Sequence, residues 1–444
     1  MKRELTTTLY LLGGVITAHA QQNNILVIVV DDLGKEILSI YDTQTIQKAN
    51  TPNINKLAQR GIVFDQVWGY PLSAPVRAAM LTGRHGHNTG ILALNISLPL
   101  SEQTLFEALP DGYSNALFGK WHLSDYEDFA PDYGIDLFAG IASGGGVRNY
   151  NEWRFTKNGE SSLINEYSTT KITDEATAWI ETQDEPWFCW VAYNAPHTPL
   201  HLPSGEMHTH KELSGDAKDI EQNPLPYFLA MVESLDYEIG RLLDSVDSST
   251  TIILIGDNGT EKSLLQAPYS SRHGKGSLYE SGVAIPLIVY SPLSQRDGKR
   301  SDALVSAPDI FPTVMEIAGV EMQQYEDGYS FASIMHGGES EREFNFSEIL
   351  NQHQGYMNAI SDGRYKLITT KNGQQELYDT QKDPTEQNNL LQGSLNKRSS
   401  SALETLQAAL EQISIDMDKI PERAPSSSKR NNKRRFRYRS SLEE

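Results

Sequence analysis

The chain has 444 residues, 58 acidic and 38 basic side chains, a formal net charge of −20, and one cysteine. That length exceeds ordinary single-domain size and predicts one large α/β domain with a smaller companion. The lone cysteine excludes an intramolecular disulfide, a multi-cysteine zinc site and an iron–sulfur cluster, and the acidic balance speaks against nucleic-acid binding.

Residues 1–20 read as a signal peptide. Lys2 and Arg3 precede the short apolar run Leu9 to Ile16, and Ala18-His19-Ala20 is a small-x-small cleavage site. The run is too short to span a bilayer, and no other segment reads as a transmembrane helix, so export to the periplasm or the exterior is expected. Four short apolar runs then predict strands buried on both faces: Ile25 to Val30, Trp187 to Ala192, Thr251 to Ile255 and Pro286 to Tyr290. Between them, Ile54 to Arg60 follows a Thr51-Pro52 helix start, and Tyr227 to Val246 sets Met231, Leu235, Ile239, Leu242 and Leu243 along one stripe. Alternating buried strands and amphipathic helices predict a mostly parallel sheet flanked by helices over residues 21–340. The single Cys189 falls inside one of these strands and reads as core.

The texture changes near residue 340. Tyr356 to Ser361, Tyr365 to Thr370 and Gln375 to Tyr378 read as strands joined at Asp362-Gly363 and Asn372-Gly373, both hairpin signals, and a helix is predicted from about Ser401 to Met417. Residues 341–420 are therefore expected to form a small α+β unit. Residues 421–444 read as a disordered basic tail; from 423 onward they carry eight Lys or Arg and two Glu, which leaves −26 on the remainder.

Two predicted strands run directly into oxygen donors. Ile25 to Val30 leads to Asp31-Asp32, and Thr251 to Ile255 leads to Gly256-Asp257-Asn258-Gly259. Ligands of open α/β sheets bind beyond the carboxyl ends of strands, and an all-oxygen donor set favours a hard cation such as Ca²⁺ or Mg²⁺ over zinc. Either motif alone reads better as a turn and helix cap; two together on strands of this type strengthen the metal reading.

A longer set of motifs follows. Ser73-Ala74-Pro75-Val76-Arg77 precedes Leu81-Thr82-Gly83-Arg84, with Gly119-Lys120-Trp121-His122-Leu123, Asn194-Ala195-Pro196-His197-Thr198-Pro199 and Gly274-Lys275-Gly276 further on. Thr51-Pro52-Asn53-Ile54, Leu377-Tyr378-Asp379, Asp383-Pro384 and Asn388-Asn389-Leu390 complete the pattern. Together these resemble the type I, formylglycine-dependent sulfatase family in its serine form, within the alkaline-phosphatase-like superfamily, over roughly residues 24 to 392. One departure stands out: the family's Tyr-Glu-Gly-Gly-x-Arg is here Tyr279-Glu280-Ser281-Gly282-Val283-Ala284.

The resemblance implies an alkaline-phosphatase-like fold and a sulfuric ester hydrolase. It implies oxidation of Ser73 to formylglycine by a serine-type sulfatase-maturating enzyme. The aldehyde hydrate attacks sulfur with one hydroxyl, and its other hydroxyl then loses a proton and expels sulfate, where a plain serine would hold a stable ester. Asp31, Asp32, Asp257, Asn258 and the modified Ser73 would hold one Ca²⁺, and Asp257 would take the diol proton. Arg77 would orient the nucleophile, Lys120 and Lys275 would clamp sulfate oxygens, His122 would assist the expulsion, and His197 would protonate the leaving alcohol with Lys275 beside it.

For the rest of the substrate, a glycine-rich loop offers Arg148, Tyr150 and Trp153, through aromatic stacking on sugar rings and pairing with a second anion. Arg272, His273 and His353 are further candidates, and His208 with His210 forms a weaker pair. The expected substrate is an O-sulfated poly- or oligosaccharide. Two alternatives stand: a phosphomonoester or phosphonate ester hydrolase of the same superfamily, and a catalytically inactive glycan-binding homologue.

Overall fold

The run Ile25–Val30 forms β1, and all six of its residues are buried, as an unbroken apolar strand between two helical layers requires. The structure is a computed structural model that describes residues 23–424 apart from 185 and 297. Residues 1–20, read above as a signal peptide, and nearly all of the expected basic tail lie outside the described residues.

The main sheet continues with β2 (Ile62–Trp68), β3 (Ser114–Lys120), β4 (Leu137–Ile141), β5 (Trp153–Lys157), β6 (Glu160–Ile164), β7 (Trp187–Tyr193), β8 (Thr251–Gly256), β9 (Leu287–Tyr290) and β10 (Lys299–Ser306). Its order is β10-β2-β9-β8-β1-β7-β3-β4-β5-β6. The block from β8 to β4 is parallel. The predicted strand at Pro286 to Tyr290 begins one residue later and runs antiparallel to both neighbours, and β5 and β6 are antiparallel as well. The sheet is thus mixed, with its parallel block at the centre.

Both faces are covered. Helix α1 (Pro52–Arg60) and the helix Pro224–Asp244 lie on the face that carries Leu26, Ile28 and Val30, where the predicted stripe has Met231, Leu235, Ile239 and Leu242 buried and Leu243 partly buried, with Phe228 added. Helix α2 (Ser73–Thr82) lies on the other face, and Ala74 and Ala78 pack with Val27 and Val29. Cys189 is fully buried in β7, and burial pushes its thiol pKa well up. Among the described residues, no helix is long and apolar enough to cross a membrane.

A two-stranded ribbon, β11 (Gln324–Tyr325) and β12 (Gly328–Tyr329), precedes a separate antiparallel sheet. That sheet comprises β13 (Asn345–Asn351), β14 (Gly355–Ser361), β15 (Tyr365–Thr370) and β16 (Gln375–Asp379). The two predicted hairpins are present; β13 is an additional strand. The predicted C-terminal helix spans Lys397–Gln412 and covers this sheet through Leu406.

A buried ion pair ties this sheet to the short turn after α2. His87 Nδ1 lies 3.1 Å from both carboxylate oxygens of Glu348 on β13, His87 N donates to Glu348 Oε1 at 2.9 Å, and Tyr356 OH donates to Oε2 at 2.6 Å. Burial opposes the His87 imidazolium, but Glu348 outweighs it and holds the pKa above the ordinary histidine value. Burial likewise opposes the Glu348 carboxylate, and His87 holds that pKa below its ordinary value. The His87 contribution to stability is therefore complete below its unfolded pKa of about 6.5 and is lost as pH rises through the raised folded value. His87→Gln should widen the melting-temperature gap to wild type most near pH 6 and least near pH 9 (both approximate, about the unfolded pKa). A gap that does not change with pH would contradict the pair.

Candidate active site

The parallel block brings four strand ends to one edge. Val30 is level with Gly256 on β8 and with Tyr193 on β7, so Asp31-Asp32, Asp257-Asn258 and Asn194 leave the sheet side by side. Next to them β3 ends in Lys120. Helix α2 presents its first residue, Ser73, to the same edge, and Arg77 follows one turn on.

The side chains converge. Ser73 Oγ donates to Asp31 Oδ1 at 3.0 Å or Asn258 Oδ1 at 3.1 Å. Lys120 Nζ reaches the other Asp31 oxygen at 2.5 Å, so nucleophile candidate and ammonium share one carboxylate. Lys275 Nζ lies 2.5 Å from Asp32 Oδ1, and Asn258 Nδ2 donates to that oxygen at 2.7 Å. Arg77 bridges Asp257 Oδ2 and the Lys120 carbonyl, each at 3.1 Å. Asp257 Oδ1 accepts from the backbone N–H groups of Asp32 at 3.0 Å and of Asn258 at 2.7 Å. Asp32 and His122 hold left-handed backbone conformations, φ 65° and 66°, a strain that packed surroundings must enforce.

Asp31, Asp32 and Asp257 each offer a carboxylate oxygen, and these atoms lie within 4.8 Å of one another in a fully buried group. Buried carboxylates with an amide oxygen beside them suit a hard divalent cation. Burial pushes the Asp31 pKa up, but Lys120, His197 and Arg77 outweigh it and hold it at about 2. Burial opposes the Lys275 ammonium too, yet Asp32, Asp31 and Asp257 hold its pKa above the ordinary value. His122 is pushed well below the ordinary histidine range by burial and then by Lys120 and Arg77, so its ring is neutral. Its Nδ1 is buried and has no hydrogen-bond partner among the described residues. His197 donates Nδ1–H to the Thr198 carbonyl at 2.6 Å and turns Nε2 toward Asp32 Oδ2 at 3.7 Å.

Ser73, Arg77, Lys120, His122, His197, Asp257, Asn258, Asp31, Asp32 and Lys275 thus meet at this edge. The sugar-contact residues fare differently. Tyr150 and Trp153 are 2% and 3% exposed and cannot offer a ring face to a sugar. Tyr150 OH donates to the Asn194 and His197 carbonyls, and Trp153 Nε1 donates to the Glu166 carbonyl from the start of β5. The reason is local: the glycines, not the aromatics, face the site. A Cβ on Gly145 would lie 3.3 Å from the His122 ring, and one on Gly146 would lie 3.6 Å from His197 Nδ1. Arg148 and Arg272 are exposed, and His273 is stacked on Tyr279 with ring centroids 3.6 Å apart. His353 is exposed and lines a cavity of about 330 Å³ with Leu72 and Gly276, the chain neighbours of Ser73 and Lys275. Among the described residues, no hydrogen bond or ion pair ties these four to the carboxylates.

Two features were not read from sequence. Asn194 is buried with neither amide atom paired among the described residues, although its motif was recognised. Where the arginine of the late motif is absent, Ala284 is bridged to Trp68, and Lys366 of β15 holds Glu280 at 3.2 Å while lying 4.7 Å over the Trp68 ring.

Residues 23–320 match the family Sulfatase, and residues 271–415 match N-sulphoglucosamine sulphohydrolase, C-terminal. A sulfatase of Formosa agariphila is 26% identical over 89% of this chain and 87% of its own length. An ulvan-active sulfatase of the same organism is 24% identical over 77% of this chain and 72% of its own. The crystal structure of Ps i-CgsB in complex with k-i-k-neocarrahexaose superposes with a TM-score of 0.74 at 25% identity, covering 89% of this chain and 93% of that one. The fold and the family match are those of a hydrolase of sulfuric esters. The chain belongs to the sulfatase family.

A cation site here predicts that millimolar Ca²⁺ raises the melting temperature by about 4 °C and that a chelator reverses the shift. Asp257→Asn should abolish the response. A melting temperature indifferent to Ca²⁺ and chelator would contradict the site.

Proposed function

We propose that the protein is an exported sulfatase that hydrolyses O-sulfate esters of a sulfated poly- or oligosaccharide, with formylglycine at position 73 and one Ca²⁺. The observation that carries this reading is Ser73 at the start of α2, its Oγ 3.0 Å from Asp31, on the carboxylate that also holds Lys120. The activity of the ulvan-active relative and the neocarrahexaose bound by the structural neighbour support a carbohydrate substrate. The signal-like residues 1–20 support export, since polymer breakdown begins outside the cytoplasm.

Asp31, Asp32, Asp257 and Asn258 would hold the cation, which supplies positive charge to the sulfuryl group and acidifies the nucleophile. Oxidation of residue 73 by a serine-type maturating enzyme supplies a hydrate whose second hydroxyl allows sulfate release. The remaining work falls to side chains. Lys120 and Lys275, each fixed on a carboxylate of the cluster, bind and orient the sulfate oxygens. Arg77 locks Asp257 and the Lys120 backbone. Asp257 takes the proton of the attacking hydroxyl. Neutral His122 hydrogen-bonds the nucleophile and assists release. His197, with Nε2 directed at the cluster, protonates the leaving sugar oxygen as the S–O bond breaks, which releases the sugar hydroxyl. The cavity beside Leu72 and Gly276 gives the leaving group room.

Protein co-expressed with a serine-type maturating enzyme should yield a residue-73 peptide lighter by two hydrogens in mass spectrometry. The same protein should release sulfate from members of a panel of defined sulfated oligosaccharides. An intact serine in a sulfate-releasing enzyme would remove the formylglycine, and a matured protein that releases none would overturn the function.

A further inference from the structure

We infer that Tyr150 is a positioning residue for His197, acting through a buried hydroxyl that clamps the backbone carrying the general acid; this rests on the reading of His197 given above. Tyr150 OH lies 2.6 Å from the His197 carbonyl and 2.9 Å from the Asn194 carbonyl. A phenol has one proton, so two carbonyls share it, and both ends of the Asn194–His197 turn are pinned by one atom. The Asn194 carbonyl also accepts from His197 N at 3.0 Å, which closes the turn.

The phenol ring is itself held. His201 stacks on it with centroids 4.2 Å apart, and His201 Nε2 lies 3.1 Å from Tyr167 OH, which in turn lies 3.3 Å from Ser234 Oγ on the helix Pro224–Asp244. His201 Nδ1 lies 3.3 Å from the Pro199 carbonyl, so Nδ1 carries the proton and Nε2 accepts from Tyr167. Burial keeps the His201 ring neutral at about 4, and burial pushes the Tyr150 phenol well up, so the clamp remains protonated. The result is a continuous brace from the helical layer to the acid: Ser234, Tyr167, His201, Tyr150, then the His197 carbonyl. At the ring itself, Nδ1 donates to the Thr198 carbonyl at 2.6 Å, and Nε2 lies 3.7 Å from Asp32 Oδ2.

Removing the hydroxyl takes the phenol donor from the half-buried His197 carbonyl, leaves the Asn194 carbonyl with His197 N, and frees the turn that aims Nε2. Proton transfer to the leaving oxygen then suffers, and it matters most where the leaving group is a poor one. The test is a series of aryl sulfates from 4-nitrophenyl to phenyl sulfate, with full-length wild type, Tyr150→Phe and His201→Phe. For Tyr150→Phe, kcat/KM should fall about 3-fold on 4-nitrophenyl sulfate and about 30-fold on phenyl sulfate. His201→Phe, which keeps a ring for stacking, should steepen the same dependence less. Ratios between esters are independent of the fraction of folded enzyme, so partial unfolding cannot mimic the result. A crystal structure of Tyr150→Phe should show His197 Nε2 displaced from Asp32. Equal losses on every ester, or an unmoved His197 ring, would overturn the brace. Wild type inert toward all aryl sulfates would count against the sulfatase reading, and the ring position alone would then decide the brace.

Discussion

Three buried carboxylates, Asp31, Asp32 and Asp257, face three cations, Arg77, Lys120 and Lys275, where β1 and β8 leave the sheet. Each ion removed from water costs several kcal/mol, and only close, hydrogen-bonded opposite charges offset that. The cluster therefore requires every contributor to be held in place at once. Helix α2 must bring Arg77 to Asp257, β3 must end at Lys120, and the 274–280 loop must carry Lys275 to Asp32. The sheet supplies that precision because adjacent parallel strands end level with one another.

The same arrangement resolves a tension in the charge. A chain with a net charge of −20 is a poor long-range attractor for an anionic substrate. Three of its carboxylates, however, are committed to this sheet edge, where they fix Arg77, Lys120 and Lys275 beside Ser73 and make a group that could hold a metal ion. Attraction for sulfate is local, and recognition falls to contacts within the cleft. The first hairpin turn of the second sheet places His353 at the cavity that Leu72 and Gly276 also line.

Much of this was legible in the sequence because its signals are short-range. Unbroken apolar runs mark β1, β7 and β8, and the residues just past them carry the chemistry. Asp362-Gly363 and Asn372-Gly373 mark hairpins through backbone conformations that glycine adopts freely; both glycines have positive φ. What was not legible depends on long-range packing. The run Leu287–Tyr290 looks the same in either direction, and only its neighbours make β9 antiparallel. The segment Ser114–Lys120 has polar residues and a glycine, so its place beside β7 is fixed by pairing rather than by pattern. Tyr150 and Trp153 read as sugar platforms because a sequence does not say which side of a loop faces the cleft; the structure turns the glycines inward and buries both rings.

This constellation is built to transfer a sulfuryl rather than a phosphoryl group. The most direct measurement compares kcat/KM of the matured protein on 4-nitrophenyl sulfate and 4-nitrophenyl phosphate under identical conditions. The sulfate should be preferred by at least about 100-fold, roughly 2.7 kcal/mol of transition-state discrimination. Equal rates, or a preference for the phosphate, would contradict it.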